Sequence, residues 1–422
     1  MKQIPILDSS MAQPRLRARL QPQWLLAAPH RLFFFMGTSL LVFAMALWAL
    51  DVLSRYLPLL PGTWMLPIAQ SAPSLPPGWI HAISLLAGAL AAYVFGFVFT
   101  ALPRWQSRPP VPARAVLPGA LLHYTGAILF IAGLAKWGLP LMLAGWIVLA
   151  RFAIRHILAG PHPDKRHASL VLGFILMGVA GLGAGLIGVW SESAYGLRVA
   201  LWAILWGMLF PVHLVVSHRM LPFFTANAVA DASPWRPYIP LYAILIGAMI
   251  LGAAVELRWH AVGLVAALTC AGITALFAAR WYARGVLSNR LLLMLHVGHA
   301  WLPIAFLLAA VQQGFALQGI HVLGLAPLHA LTMGFLLSTV VAMVSRVSLG
   351  HSGRHVSADR RTWWIFCIVQ AGVVLRIATE LRVGWFAVGI ILTALLVLAT
   401  LVAWALRYLP IYLQPREDGL PG

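Results

Sequence analysis

The stretch LHALTMGFLLSTVVAMVSRVSLGHSGR, residues Leu328–Arg354, decides how the rest of the chain is read. It carries no charged side chain between His329 and Ser345, then opens into Arg346, His351 and Arg354. That pattern predicts a transmembrane helix with a histidine in its outer half and a basic, glycine-rich cytoplasmic turn at its inner end. A helix facing only lipid needs neither feature, and a histidine within a span points to function.

The whole chain repeats this character. Of 422 residues, 61% are hydrophobic and 9% charged, and the mean hydropathy is +0.88. There is too little polarity to cover a soluble globule. The expected class is an all-α polytopic membrane protein whose first partner is the lipid bilayer. At about twenty apolar residues per span, twelve helices are predicted over 32–51, 79–102, 116–135, 139–157, 169–190, 199–220, 239–256, 260–279, 290–311, 322–345, 362–381 and 384–406. Residues 1–31 read as a basic cytoplasmic segment, 32–406 as one transmembrane domain and 407–422 as a cytoplasmic tail. The prolines of Pro58–Pro77 forbid a helix and predict a long periplasmic loop.

The formal charge of +19 does not indicate nucleic acid, because the basic residues lie in short loops between apolar runs. Most of them fall on one side when the N-terminus is placed in the cytoplasm, including Arg104, Arg108, Arg151, Arg155, Arg280, Arg284 and Arg346. Both termini are therefore expected inside. Cys270 and Cys367 lie in apolar runs and read as inert thiols. Gly181 and Gly185 form a small-residue face on which another helix can pack closely.

All ten acids are placed in loops, tails or span ends, whereas the spans hold histidine: His123, His213, His218, His296, His299 and His329, with His81 at the outer edge of helix two. The missing midspan carboxylate argues against an ion-coupled carrier. His329 is expected roughly 10 Å below the outer boundary by helical rise. His296 and His299, spaced i,i+3, share a helix face and could share a metal; His213 and His218, about 140° apart, should not. Arg376 lies inside the outer interface and must snorkel or pair with an anionic group. Gly350 and Gly353 could let backbone N–H groups converge on an anion or redox partner between Arg346, His351 and Arg354.

Several blocks together resemble the NnrS family: APHRLFFF at Ala28–Phe35, GFVFTALPRWQSRP at Gly96–Pro109, HRMLPFFTAN at His218–Asn227, HVGHAWLP at His296–Pro303, HALTMG at His329–Gly334 and SRVSLGHSGR at Ser345–Arg354. The resemblance implies a bacterial inner-membrane protein with haem b and copper, linked to nitric oxide as ligand or substrate and to nitrosative stress. It covers His81, His218, Arg219, His296, His329, Arg346, His351, Arg354 and Arg376. This chain departs from it at His81-Ala82-Ile83-Ser84, where His-x-His-Glu is expected, and at His299, where tyrosine is commoner. The helix count and histidine placement also resemble the catalytic subunit of haem-copper oxidases, in which helices two and ten share a haem near the outer side. These likenesses imply His329 as a haem ligand, His81 as a second axial ligand and Arg376 as partner of the propionates. The metal set would be His296, His299, His218 and His213. Three activities stay open: a nitric-oxide-linked oxidoreductase, a haem-based sensor, and a histidine-lined transporter for a small anion or metal chelate. Reporter fusions at Gly62 and Arg258 are expected to read as periplasmic and those at Arg108 and Arg284 as cytoplasmic; an inverted pattern would contradict the orientation.

Overall fold

The computed structural model describes residues 20–56, 75–230, 232–381 and 383–419. Twelve of its helices are long and apolar enough to cross a membrane. They are α1 (Pro29–Tyr56), α2 (Pro77–Trp105), α3 (Ala113–Ile131), α4 (Ala135–Ile157), α5 (Arg166–Trp190) and α6 (Ala194–Ala228), then α7 (Tyr238–Leu257), α8 (His260–Trp281), α9 (Arg290–Ala316), α10 (Ala326–His351), α11 (Arg360–Leu381) and α12 (Phe386–Tyr412). No strand occurs among the described residues. Helix is the form that satisfies every backbone group within its own segment, as hydrocarbon requires. Proline marks several starts: Pro29 and Pro77 open α1 and α2, Pro112 and Pro237 precede α3 and α7, and Pro327 is the second residue of α10. A proline there loses no intrahelical bond and sets φ for the first turn.

Consecutive helices pack as neighbours, α3 on α4, α5 on α6, α7 on α8 and α8 on α9, while α1 closes the bundle against α2 and α12. Burial ranks them. In their most apolar windows α2 is 83% buried, α10 72% and α6 67%, against 33% for α11. The helices bearing His81, His329 and His213 are thus the innermost. These same three helices each contain a π-helical stretch: Ser84–Leu90 in α2, Leu205–Leu209 in α6 and Ala330–Leu337 in α10.

The spans lie where the apolar runs predict, but several helices run further. α10 begins at Ala326 rather than 322 and continues through Arg346 to His351, where the sequence suggests a turn. No breaker stands before Gly353, and Arg346 is held by laying its guanidinium over the Phe224 ring of α6, 4.3 Å from the centroid. Gly353, at φ +72°, ends the helix, and Arg354 N–H donates to Leu349 O across it (3.1 Å). This is a Schellman-type cap, so that N–H closes the helix instead of facing an anion. His329 accordingly lies in the first turn of α10, shallower than the sequence-based depth. The Pro58–Pro77 loop falls outside the described residues except for its last three.

The glycine face of α5 packs as expected. A Cβ on Gly181 would stand 2.7 Å from Ala203 Cβ of α6, and one on Gly185 3.1 Å from Ala200 Cβ. α3 and α4 approach closer still, since a Cβ on Gly126 would lie 2.5 Å from Met142 N and 2.7 Å from Gly138 O. Backbone cannot retreat as a flexible side chain can, so Gly126→Ala should destabilise the protein by about 1–3 kcal/mol. Gly173→Ala, with nothing within 4 Å of the new methyl, should leave stability unchanged or slightly raised. Thermal unfolding of the two variants in one detergent checks the contrast.

Candidate functional site

The two ends of the bundle differ in chemistry. One end, opposite the chain termini, gathers His81, His329 and Arg376. His81 lies in the second turn of α2 and His329 in the first turn of α10, so the two start at matched depth. His329 and Arg376 are both close enough to act on the charge of His81, and Arg376 also acts on His329. His81, His329 and Arg376 thus lie at one end of the bundle, on α2, α10 and α11.

Their free valences matter more than their proximity. His329 Nδ1 lies 3.0 Å from Leu325 O. A carbonyl only accepts, so Nδ1 carries the proton and Nε2 keeps its lone pair. An imidazole donating its other N–H to a carbonyl is the usual state of a metal ligand. His81 stacks on Trp48 of α1 at 4.2 Å between centroids, and its Nδ1 is buried without a partner among the described residues. Ser84 Oγ, three residues on, is also buried and unpartnered among them.

Arg376 does not snorkel. It is 6% exposed, and its Nη2 pairs with Glu380 at 2.6 Å while Nη1 has no partner among the described residues. Glu380, read from sequence as a span-end acid, is the counter-charge; the i,i+4 spacing was the signal for it. One face of the guanidinium is neutralised internally and the other keeps a donor for a further acceptor.

The π stretches adjoin this chemistry. Ala330–Leu337 starts directly after His329, Ser84–Leu90 three residues after His81, and Leu205–Leu209 four residues before His213. Such i→i+5 stretches re-aim side chains and recur at functional sites. His123 of α3 braces one of them: its Nε2–H donates to Gly88 O (3.0 Å) and its Nδ1 accepts from Trp146 Nε1–H (3.0 Å). Both nitrogens are used, so His123 is structural.

His213 donates Nδ1–H to Leu209 O at 2.7 Å. Its ring lines a largely apolar cavity of about 70 Å³ with Phe34, Tyr93, Thr339 and Met343, between α1, α2, α6, α9 and α10. By that measure the space holds a few water-sized molecules. His218 is elsewhere, in a chain that the sequence does not announce. Its Nε2–H donates to Pro237 O (3.0 Å), its Nδ1 accepts from His167 Nε2–H (3.1 Å), and His167 Nδ1 accepts from the Tyr238 hydroxyl (3.0 Å). Tyr238 ends the chain, and Asp164 lies beside it at the surface, where its hydrogen bond with Arg166 holds the carboxyl well below the usual carboxylate range.

His296 Nε2 meets Thr225 Oγ1 at 2.9 Å. His299 is 1% exposed, packs on Trp281, and has both ring nitrogens unpartnered among the described residues. Of the four candidate metal histidines, His218 and His299 both pack on Trp281, whereas His213 lines the separate cavity. Among the described residues no three His, Cys, Asp or Glu side chains come together as a metal-holding group. At the terminus-bearing end, His351 packs against His30 and Arg354 donates to Gln414, whereas Arg346 points away to Phe224.

The buried ion pair sets a test. Arg376→Gln leaves the Glu380 carboxylate buried and unpaired, which should cost about 3–5 kcal/mol. Adding Glu380→Gln should recover most of it, as measured by unfolding of single and double variants.

The arrangement can be set beside known proteins. No curated protein matches the chain. The family described as NnrS protein matches residues 24–416, nearly the entire length. With its twelve apolar helices, this multi-pass membrane protein belongs to the NnrS family.

Proposed function

We propose that this chain is a haem b protein of the bacterial inner membrane, both termini cytoplasmic, that contributes to nitric oxide tolerance. The observation that carries the reading is the group at the outer end. His329 Nε2 keeps a lone pair, while His81 Nδ1 and Arg376 Nη1 are buried without partners among the described residues. Unpaired polar atoms are costly in hydrocarbon. This donor set fits a haem: an imidazole for iron, a second beside it, and a guanidinium donor for a carboxylate edge.

Haem held there would supply an iron to which nitric oxide can bind. The chain's own residues do the rest. Leu325 O fixes the His329 tautomer, Trp48 fixes the ring plane of His81, and Glu380 orients Arg376. The cavity beside His213 offers a small apolar ligand a resting place inside the bundle. A helix arrangement like that of haem-copper oxidases is part of the proposal, supported by His81 and His329 on helices two and ten at one end. Support for copper is thinner. Thr225 gives its proton to Leu221 O and engages only Nε2 of His296, so a copper site rests on His296 Nδ1 and His299 with further ligands that must move toward them.

His329→Ala should abolish the Soret band of the protein purified from haem-supplied cells. His81→Ala should shift the spin state or leave it unchanged, and Arg376→Ala should weaken haem retention. A full wild-type spectrum in His329→Ala would overturn the assignment.

A further inference from the structure

At the terminus-bearing end, a second group of polar side chains is buried. His30 and Arg31 open α1, and each is only 2% exposed. The His30 ring lies against His351 of α10, centroids 4.6 Å apart. Arg31, Arg104 and Arg416 all lie close enough to act on His351, and Arg354 and Arg416 on Arg31. Three guanidiniums and two imidazoles therefore gather where α1, the end of α10 and the C-terminal segment meet, with the exposed Arg104 of α2 beside them.

The internal partners do not exhaust them. Arg31 Nη1 donates to Gln414 O at 2.6 Å, and Arg354 donates to Gln414 Oε1 (3.0 Å) and Glu417 Oε1 (3.1 Å). Arg416 is taken up by Asp418. Arg31 Nη2, Arg354 Nη1 and His30 Nδ1 remain buried with no partner among the described residues. Two carboxylates, Glu417 and Asp418, face four guanidiniums, and the polar atoms left over belong to three residues, two opening α1 and one in the turn after α10. A shared acceptor with several oxygens would satisfy them at once, and guanidinium groups suit the oxygens of phosphate. Glu417 already occupies one side of Arg354, so the C-terminal segment acts as a partial internal stand-in for that anion.

We propose that His30, Arg31, Arg104, His351, Arg354 and Arg416 form a binding site for a phosphate group, supplied either by a free phosphate anion or by the headgroup of an anionic phospholipid. It lies at the opposite end from His329 and does not depend on the haem reading.

The test uses the full chain in nanodiscs of phosphatidylcholine, with or without phosphatidylglycerol, and with sodium phosphate or chloride at equal ionic strength. Phosphate in phosphatidylcholine discs should raise the unfolding temperature if the source is soluble; phosphatidylglycerol should raise it in chloride if the source is lipid. Either increment supports the site, provided Arg31→Gln weakens the response by about tenfold or more in ligand concentration, as expected for one lost charge-assisted hydrogen bond. Should Arg31→Gln fail to fold, Glu417→Gln replaces it: freeing Arg354 should lower the half-saturating ligand concentration several-fold. No increment from either source, an undiminished response in Arg31→Gln, or an unchanged midpoint in Glu417→Gln would overturn the proposal.

Discussion

Hydrocarbon offers no hydrogen bonds, so each polar atom carried into this bundle needs a partner from the chain or from something the chain binds. That constraint explains the helices, since a helix satisfies its own backbone. It also sorts the histidines. His123 spends both nitrogens on Gly88 and Trp146, and His218 spends both on Pro237 and His167. These rings act as cross-braces between helices. The rule is left incomplete at other atoms, among them His81 and Arg376 at one end and His30, Arg31 and Arg354 at the other.

The two ends apply the constraint differently. At the end opposite the chain termini one guanidinium is balanced by one internal carboxylate, and the surplus is two imidazoles and a single donor. That suits a neutral or weakly anionic planar group. At the other end guanidiniums outnumber carboxylates, which suits a more highly charged ligand. Between them lie α2 and α10, the most buried helices, each interrupted by a π stretch. An extra residue in a helical turn rotates everything beyond it, so His81 and His329 need not face the directions that a regular helix would give them.

Much of this was legible beforehand. Apolar run length located the twelve spans, the glycine spacing of α5 located a close contact, and depth alone grouped His81, His329 and Arg376. The π stretches were not legible, because hydrogen-bond register leaves no trace in composition. Glu380 was legible by its i,i+4 spacing from Arg376, but its position at a span end disguised it. Arg31 counted as one more inside-facing charge, and only packing reveals that it is 2% exposed. His167 and Tyr238 were missed because their partner His218 is distant in sequence. Arg346 was grouped with His351 and Arg354 because they are close in sequence, but the helix continuing through it turns it toward Phe224.

The central claim is that the outer-end group of α2, α10 and α11 exists to hold haem. The most direct measurement is the visible spectrum and iron content of the unaltered protein purified from cells supplied with iron and copper. The account predicts a Soret band with stoichiometric haem iron, and a spectral change when nitric oxide is added to the reduced protein. A folded, colourless protein that carries no iron and takes up no haem would contradict it.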